Sequence, residues 1–143
     1  MPGWLLLTYK LPTEPSRRRV YVWRKLKRLG AIKIFEAVWV LPENFRTREQ
    51  FQWLAAEIQE MGGESMVWNG SPQFPGQDEL IGNLFSRQVE EAYQALLDRL
   101  DQPGVDIAEA ALEYTQIKQK DYFNSALGQA VRQRLLAARG SEL

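Results

Sequence analysis

The order in which strand-like and helix-like runs alternate over residues 1–70 is the tightest constraint on the fold. Trp4 to Leu11 is an apolar, β-prone run closed by Pro12, and it reads as a buried strand. Thr13-Glu14-Pro15-Ser16 then marks a helix start, with Thr13 or Ser16 as the cap and Pro15 in the first turn, where its missing N–H does no harm. The helix runs to Leu29, and Gly30 supplies its stop. Ala31 to Phe35 and Ala37 to Leu41 follow as two short strands joined by a tight turn at Glu36 and ended by Pro42. Thr47-Arg48-Glu49-Gln50 matches a capping box, and Phe51, Leu54, Ala55, Ile58 and Met61 keep helical spacing as far as Gly62-Gly63. Ser65 to Trp68 is the fourth strand. The sum is β-α-β-β-α-β, an α+β arrangement of the ferredoxin-like kind, with a four-stranded antiparallel sheet and two helices on one face.

Beyond this unit the pattern changes. Residues 71–77 are rich in proline and glycine and form a loop, and residues 78–143 read as a helical extension of two to three helices, packed with the first unit into one body. Asp78 caps a long segment in which Ile81, Leu84, Phe85, Val89, Ala92, Tyr93, Leu96 and Leu100 make an apolar stripe. Gln102-Pro103-Gly104 breaks it. Two further helices are expected, roughly Ile107 to Lys120 and Ser125 to Ala138, with Tyr122-Phe123 as an apolar anchor between them.

The residue inventory argues against catalysis. There is no cysteine, hence no disulfide, thiolate ligand or cysteine nucleophile; there is no histidine, which removes the usual general base and the commonest zinc ligand. Clustered carboxylates for a metal-dependent nuclease are missing, because no aspartate precedes Asp78. No phosphate-cradling glycine motif occurs, and a serine nucleophile would have no histidine partner. No catalytic residue, metal or cofactor is expected. No run of eighteen apolar residues exists, and Lys10 interrupts the apolar start early, so neither a membrane span nor a secretory segment fits; a cytoplasmic location is the expectation.

Charge is balanced overall, with eighteen basic and eighteen acidic residues, but it is unevenly placed. Residues 1–35 hold nine Lys or Arg against Glu14 alone, and the remainder holds nine basic and seventeen acidic residues. Such polarity along a chain points to a polyanionic partner. It concentrates in the first helix. At 100° per residue Val22, Trp23, Leu26 and Leu29 share a packing face, while Arg17, Tyr21, Arg24 and Arg28 line the other, with Arg18 and Lys25 beside them. Arg17, Arg18 and Arg19 sit in the first turns, where exposed amides already carry partial positive charge; each cation there is unfavourable by roughly 0.3–1 kcal/mol. A negative partner reverses that sign, since helix N-terminal amides and guanidinium forks bind phosphate oxygens together.

The favoured partner is double-stranded DNA, bound by a homodimer, because symmetric dimers match two-fold sites and sheets of this kind pair through their edges. The alternative is a protein interaction module whose basic helix docks an acidic surface, either another chain or its own C-terminal helices with Glu90, Glu91, Asp98, Asp101 and Glu109. The five tryptophans, at 4, 23, 39, 53 and 68, fall about one per element and read as core. Ala37-Val38-Trp39-Val40-Leu41 lacks the basic-glycine-aromatic pattern of RNA-binding sheets, so base stacking on that strand is not expected.

The segment WLLLTYKLPTEPSRRRVYVWRKLKRLGAI, followed by AVWVLP, then TREQFQWLAAEIQEMGGES and later KQKDYF, resembles the N-terminal domain of the ChrB family of chromate-resistance regulators. The resemblance runs over nearly the whole chain and is most specific from Trp4 to Gly63. It implies a ferredoxin-like core similar to the middle domain of PaaX-type repressors and to the small CRISPR-associated integrase subunit, whose nuclease-type aspartate is absent here. It also implies a chromate-responsive transcriptional regulator in which basic residues of this domain contact DNA. By position those residues are Arg17, Arg18, Arg19, Arg24, Lys25, Lys27 and Arg28. Members of the family carry a second, C-terminal domain associated with the chromate response, which the sequence in hand does not include, and this leaves chromate sensing open. An oxyanion such as chromate, sulfate or phosphate is a further expected ligand of the arginine cluster.

Overall fold

The computed structural model describes residues 3–142; Met1, Pro2 and Leu143, the ends of the ranges given above, lie outside the described residues. The described residues divide into two compact units, parted between Asp78 and Glu79.

The first unit contains β1 (Trp4–Lys10), α1 (Ser16–Leu29), β2 (Ile32–Ile34), β3 (Val38–Pro42), α2 (Phe45–Glu60) and β4 (Glu64–Gly70). The four strands form one sheet in the order β2-β3-β1-β4, with every neighbouring pair antiparallel. This is the expected ferredoxin-like order. Register follows from the period-two alternation of side chains. Leu5 and Leu7 of β1 stand opposite Leu41 and Trp39 of β3, and all four are buried. Against that face lie the buried stripes of the two helices, Val22, Leu26 and Leu29 of α1 and Phe51, Leu54 and Ile58 of α2.

Local details depart from the sequence reading at both helix starts. In α1 neither Thr13 nor Ser16 caps: Pro15 occupies the N-cap position, no side chain bonds the first amides, and Ser16 is already helical. The C-terminal stop is as expected, with Gly30 at φ 79° and the amides of Gly30 and Ala31 bonded back to Lys27 O and Leu26 O. In α2 the capping box lies three residues upstream of Thr47-Gln50. Asn44 is the N-cap, its side chain accepting from Thr47 N at 2.8 Å while Thr47 Oγ1 accepts from Asn44 N at 2.9 Å. Phe45 and Arg46 are therefore helical. The β2–β3 turn is wider than the single residue expected, with Phe35, Glu36 and Ala37 between the paired Ile34 and Val38; Ala37 N donates to Ile34 O at 3.1 Å, and the two central residues, Phe35 (φ 53°) and Glu36 (φ 58°), are left-handed.

The tryptophans divide. Trp4 and Trp39 are buried, but Trp23, Trp53 and Trp68 are 51%, 61% and 50% exposed, which corrects the reading of all five as core. The cause on α1 is geometric: the buried stripe Val22–Leu26–Leu29 is narrow, and Trp23 falls outside it. On β4, Trp68 lies across the sheet from Leu6, with its indole N–H donating to Thr8 Oγ1 at 2.9 Å.

The second unit is helical: α3 (Gln77–Leu100, which starts at the end of the first unit), α4 (Ile107–Lys118) and α5 (Ala126–Glu142). Asp78 is inside α3 rather than its cap, and it accepts the Trp4 indole N–H at 2.9 Å. The core combines Val89, Tyr93, Leu96 and Leu100 with Ala110, Ile117, Val131 and Leu135. Tyr122 and Phe123 meet the Phe85 ring edge-on at 6.1 and 6.2 Å, which makes them the anchor expected between the last two helices.

Candidate nucleic-acid interface

Helix α1 joins β1 to β2, and its geometry sorts the seven expected contact residues into two groups. Arg18 and Lys25 are half-buried on the side next to α2 and are used within the fold. Arg18 Nη1 donates to Met61 O at 2.8 Å, at the C-cap of α2, where a cation meets the partial negative charge of unpaired carbonyls. Lys25 Nζ lies 3.5 Å from Glu57 Oε1, and the same glutamate accepts from Tyr21. The expectation that all seven residues face an external anion is thus narrowed. Arg18, placed in the first turn of α1, is stabilised by its own molecule.

Arg17, Arg19, Arg24, Lys27 and Arg28 are exposed. Within the first unit, and among the described residues, none of these five pairs with a carboxylate. Arg17, Arg24 and Arg28 fall within a narrow angular sector opposite Val22 and Leu26, and the eleven-residue step from first to last spans about 16 Å of helix. No acidic side chain occupies the first turn, so the amides there add their partial charge to Arg17 and Arg19 without neutralisation. Lys27 Nζ sits 5.8 Å from the centroid of the Trp23 ring, which keeps its charge on the outer surface.

One group of residues was missed from sequence. Ser16, Arg19, Val20 and Trp23 of α1 form one wall of a groove of about 340 Å³ whose other wall is Tyr9, Lys33 and Trp39 of the sheet. Lys33 Nζ stands 5.7 Å over the Trp39 ring. Burial raises the Tyr9 phenol above its ordinary pKa, while a hydrogen bond with Trp39 and the charge of Arg19 act the other way. The hairpin expected at Glu36 contained the signal, since it places Lys33 opposite Trp39, but the approach of α1 to that pair is not written in any local pattern.

Among the described residues no group of three or more acidic side chains could hold a metal ion, and no helix is long and apolar enough to cross a membrane.

A family model described as Protein ChrB, N-terminal, matches residues 19–122. The chain belongs to that family. A curated relative, Protein ChrB of Cupriavidus metallidurans (strain ATCC 43123 / DSM 2839 / NBRC 102507 / CH34), is 35% identical over 97 residues, which are 68% of this chain and 26% of the relative. The chain thus aligns with about a quarter of that ChrB protein's length. The family match begins at Arg19, so it takes in Arg24, Lys25, Lys27 and Arg28 and leaves Arg17 and Arg18 outside. No solved structure matches the chain.

Proposed function

We propose that this ChrB-family chain is a non-catalytic, DNA-binding regulatory domain that contacts duplex phosphates through the outer face of α1. The observation that carries the reading is the set of exposed cations on α1, with Arg17, Arg24 and Arg28 in one outer sector, Lys27 beside them and Arg19 toward the sheet, on a helix whose N-terminus no side chain caps and whose first turn holds no acid. Their span of about 16 Å matches roughly five steps along one strand of B-form DNA at 3.4 Å each. Contacts of this type position a protein on a duplex without reading its sequence. The setting that the family resemblance implies is transcriptional control of chromate resistance in the cytoplasm. A homodimer belongs to the same reading, because two copies related by a two-fold axis double the phosphate contacts and fit a two-fold operator.

Arg24→Ala combined with Arg28→Ala should weaken duplex binding at least tenfold and reduce the salt slope by about two contacts' worth, roughly 0.9 per phosphate. Arg18→Gln is the control: its guanidinium serves Met61, so it should lower thermal stability and leave duplex affinity within about twofold. Fluorescence anisotropy with labelled duplex measures both. Unchanged affinity in the double variant would remove the outer face of α1 from the interface.

A further inference from the structure

The groove between α1 and the sheet has a chemistry different from the outer face of the helix. Two cations from separate elements flank it, Arg19 on α1 and Lys33 on β2, and no carboxylate is among its walls. Lys33 does lie 3.6 Å from Glu36, but that carboxylate is 93% exposed, and an ion pair so open to water yields readily to a better anion. Three aromatic side chains, Tyr9, Trp23 and Trp39, make up most of the rest of the lining, with Ser16 and Val20 of α1 beside them. Of these, Trp39 is buried while Trp23 is half exposed, so Trp23 has ring surface still available to a flat group. The volume of about 340 Å³ falls at the low end of small-ligand sites, enough for one ring system with one anionic group. A bare inorganic oxyanion is a poor fit, because it seeks hydrogen-bond donors on every side and would meet rings on most of them.

We infer that this groove takes a ring-bearing phosphate, the chemistry of a single nucleotide, with the ring against Trp23 and the phosphate between Arg19 and Lys33. Stacking on an aromatic side chain is tolerant of base identity, and Arg19 and Lys33 supply the charge that holds the phosphate. The ligand has two possible sources, a free mononucleotide or an unpaired nucleotide of a strand. Neither requires a duplex on the outer face of α1, so the inference goes beyond the function proposed above and shares only Arg19 with it.

The test uses the intact chain and the indole N–H signals of its tryptophans in nitrogen-15 NMR. Titration with adenosine 5′-monophosphate should shift Trp23 and Trp39 and leave Trp53 and Trp68 in place. Lys33→Gln should weaken that response at least tenfold, whereas Arg24→Ala with Arg28→Ala should leave it intact even as duplex binding weakens. A response to a short single-stranded oligonucleotide but not to the mononucleotide assigns the same chemistry to a strand. The inference is overturned if neither probe moves Trp23 and Trp39, if inorganic phosphate alone reproduces the shifts at equal affinity, or if Lys33→Gln changes nothing. Weakened duplex binding in the Arg24/Arg28 variant with no groove response to either probe would sink this inference and leave the proposed function standing.

Discussion

Thr47 is 1% exposed, and its hydroxyl both accepts from Asn44 N and donates to Pro42 O at 2.6 Å, tying the end of β3 to the start of α2. Thr47→Ala removes these bonds at once and leaves a backbone amide at the helix start without its partner, so a loss of about 1–2 kcal/mol is expected, read as a melting temperature lower by several degrees. The sequence pattern had located Thr47 as a capping residue but in the wrong role, because a capping box is defined by its first helical residues and the helix begins earlier, at Phe45. Tyr93 gives a second prediction at this scale. Its ring is fully buried, and its hydroxyl donates to Asp121 Oδ2 at 3.0 Å; burial first, and the adjacent carboxylate second, push the phenol well above its ordinary 10.0. The folded state therefore holds this proton more tightly than the unfolded state, so the stabilisation is complete below about pH 10 and is lost as the pH rises beyond it. Denaturant melts at pH 9, 10 and 11 should show stability falling across the series, and Tyr93→Phe should flatten that fall while lowering stability at pH 9. Neither the Tyr93–Asp121 bond nor the Arg18–Met61 bond was legible in the sequence, since the partners lie 28 and 43 residues apart and no periodicity links them.

Element order was legible because each boundary in the first unit is marked by a residue with a physical reason to be there. Gly30 occupies a left-handed stop, Pro12 closes β1, and apolar spacing changes from two to about 3.6 between strands and helices. The cationic side of α1 was legible for the same reason, as a helix imposes its own angles. Its limits were not: Trp23 lay close enough to Val22 and Leu26 on the helical wheel to be read as core, and only the narrow contact actually made by α1 decides otherwise. The β2–β3 hairpin carries a prediction of its own. Phe35 and Glu36 adopt left-handed angles in a turn that favours asparagine and glycine, and Phe35 is 93% exposed, so nothing packs against its ring to offset the strain. Glu36→Gly should stabilise the hairpin by about 0.5–1 kcal/mol, net of a surface ion pair to Lys33 that contributes little. A lower melting temperature in this variant would show that the Lys33–Glu36 contact outweighs the backbone term.

At the scale of the molecule, zero net charge means that no long-range monopole draws the chain to a polyanion at neutral pH, so affinity must arise from the local set on α1. That set has a signature in salt and another in pH. Five cations that each displace a counterion give a slope of log affinity against log salt of at most about −4.5, and fewer engaged cations give proportionally less. Affinity for random duplex should therefore fall steeply between 50 and 200 mM salt. The pH signature follows from the inventory: histidine and cysteine are the side chains that ordinarily titrate near neutrality, and the chain has neither. Arginine and lysine stay charged throughout that range, so duplex affinity measured at fixed ionic strength should be flat within about twofold from pH 6 to pH 8. The two signatures separate the guanidinium-phosphate reading from its rivals. An interface dominated by apolar contact through Trp23 would be insensitive to salt as well as to pH, and one that draws on carboxylates elsewhere in the chain would strengthen as the pH drops toward 5. Only a surface of permanent cations is steep in one variable and level in the other.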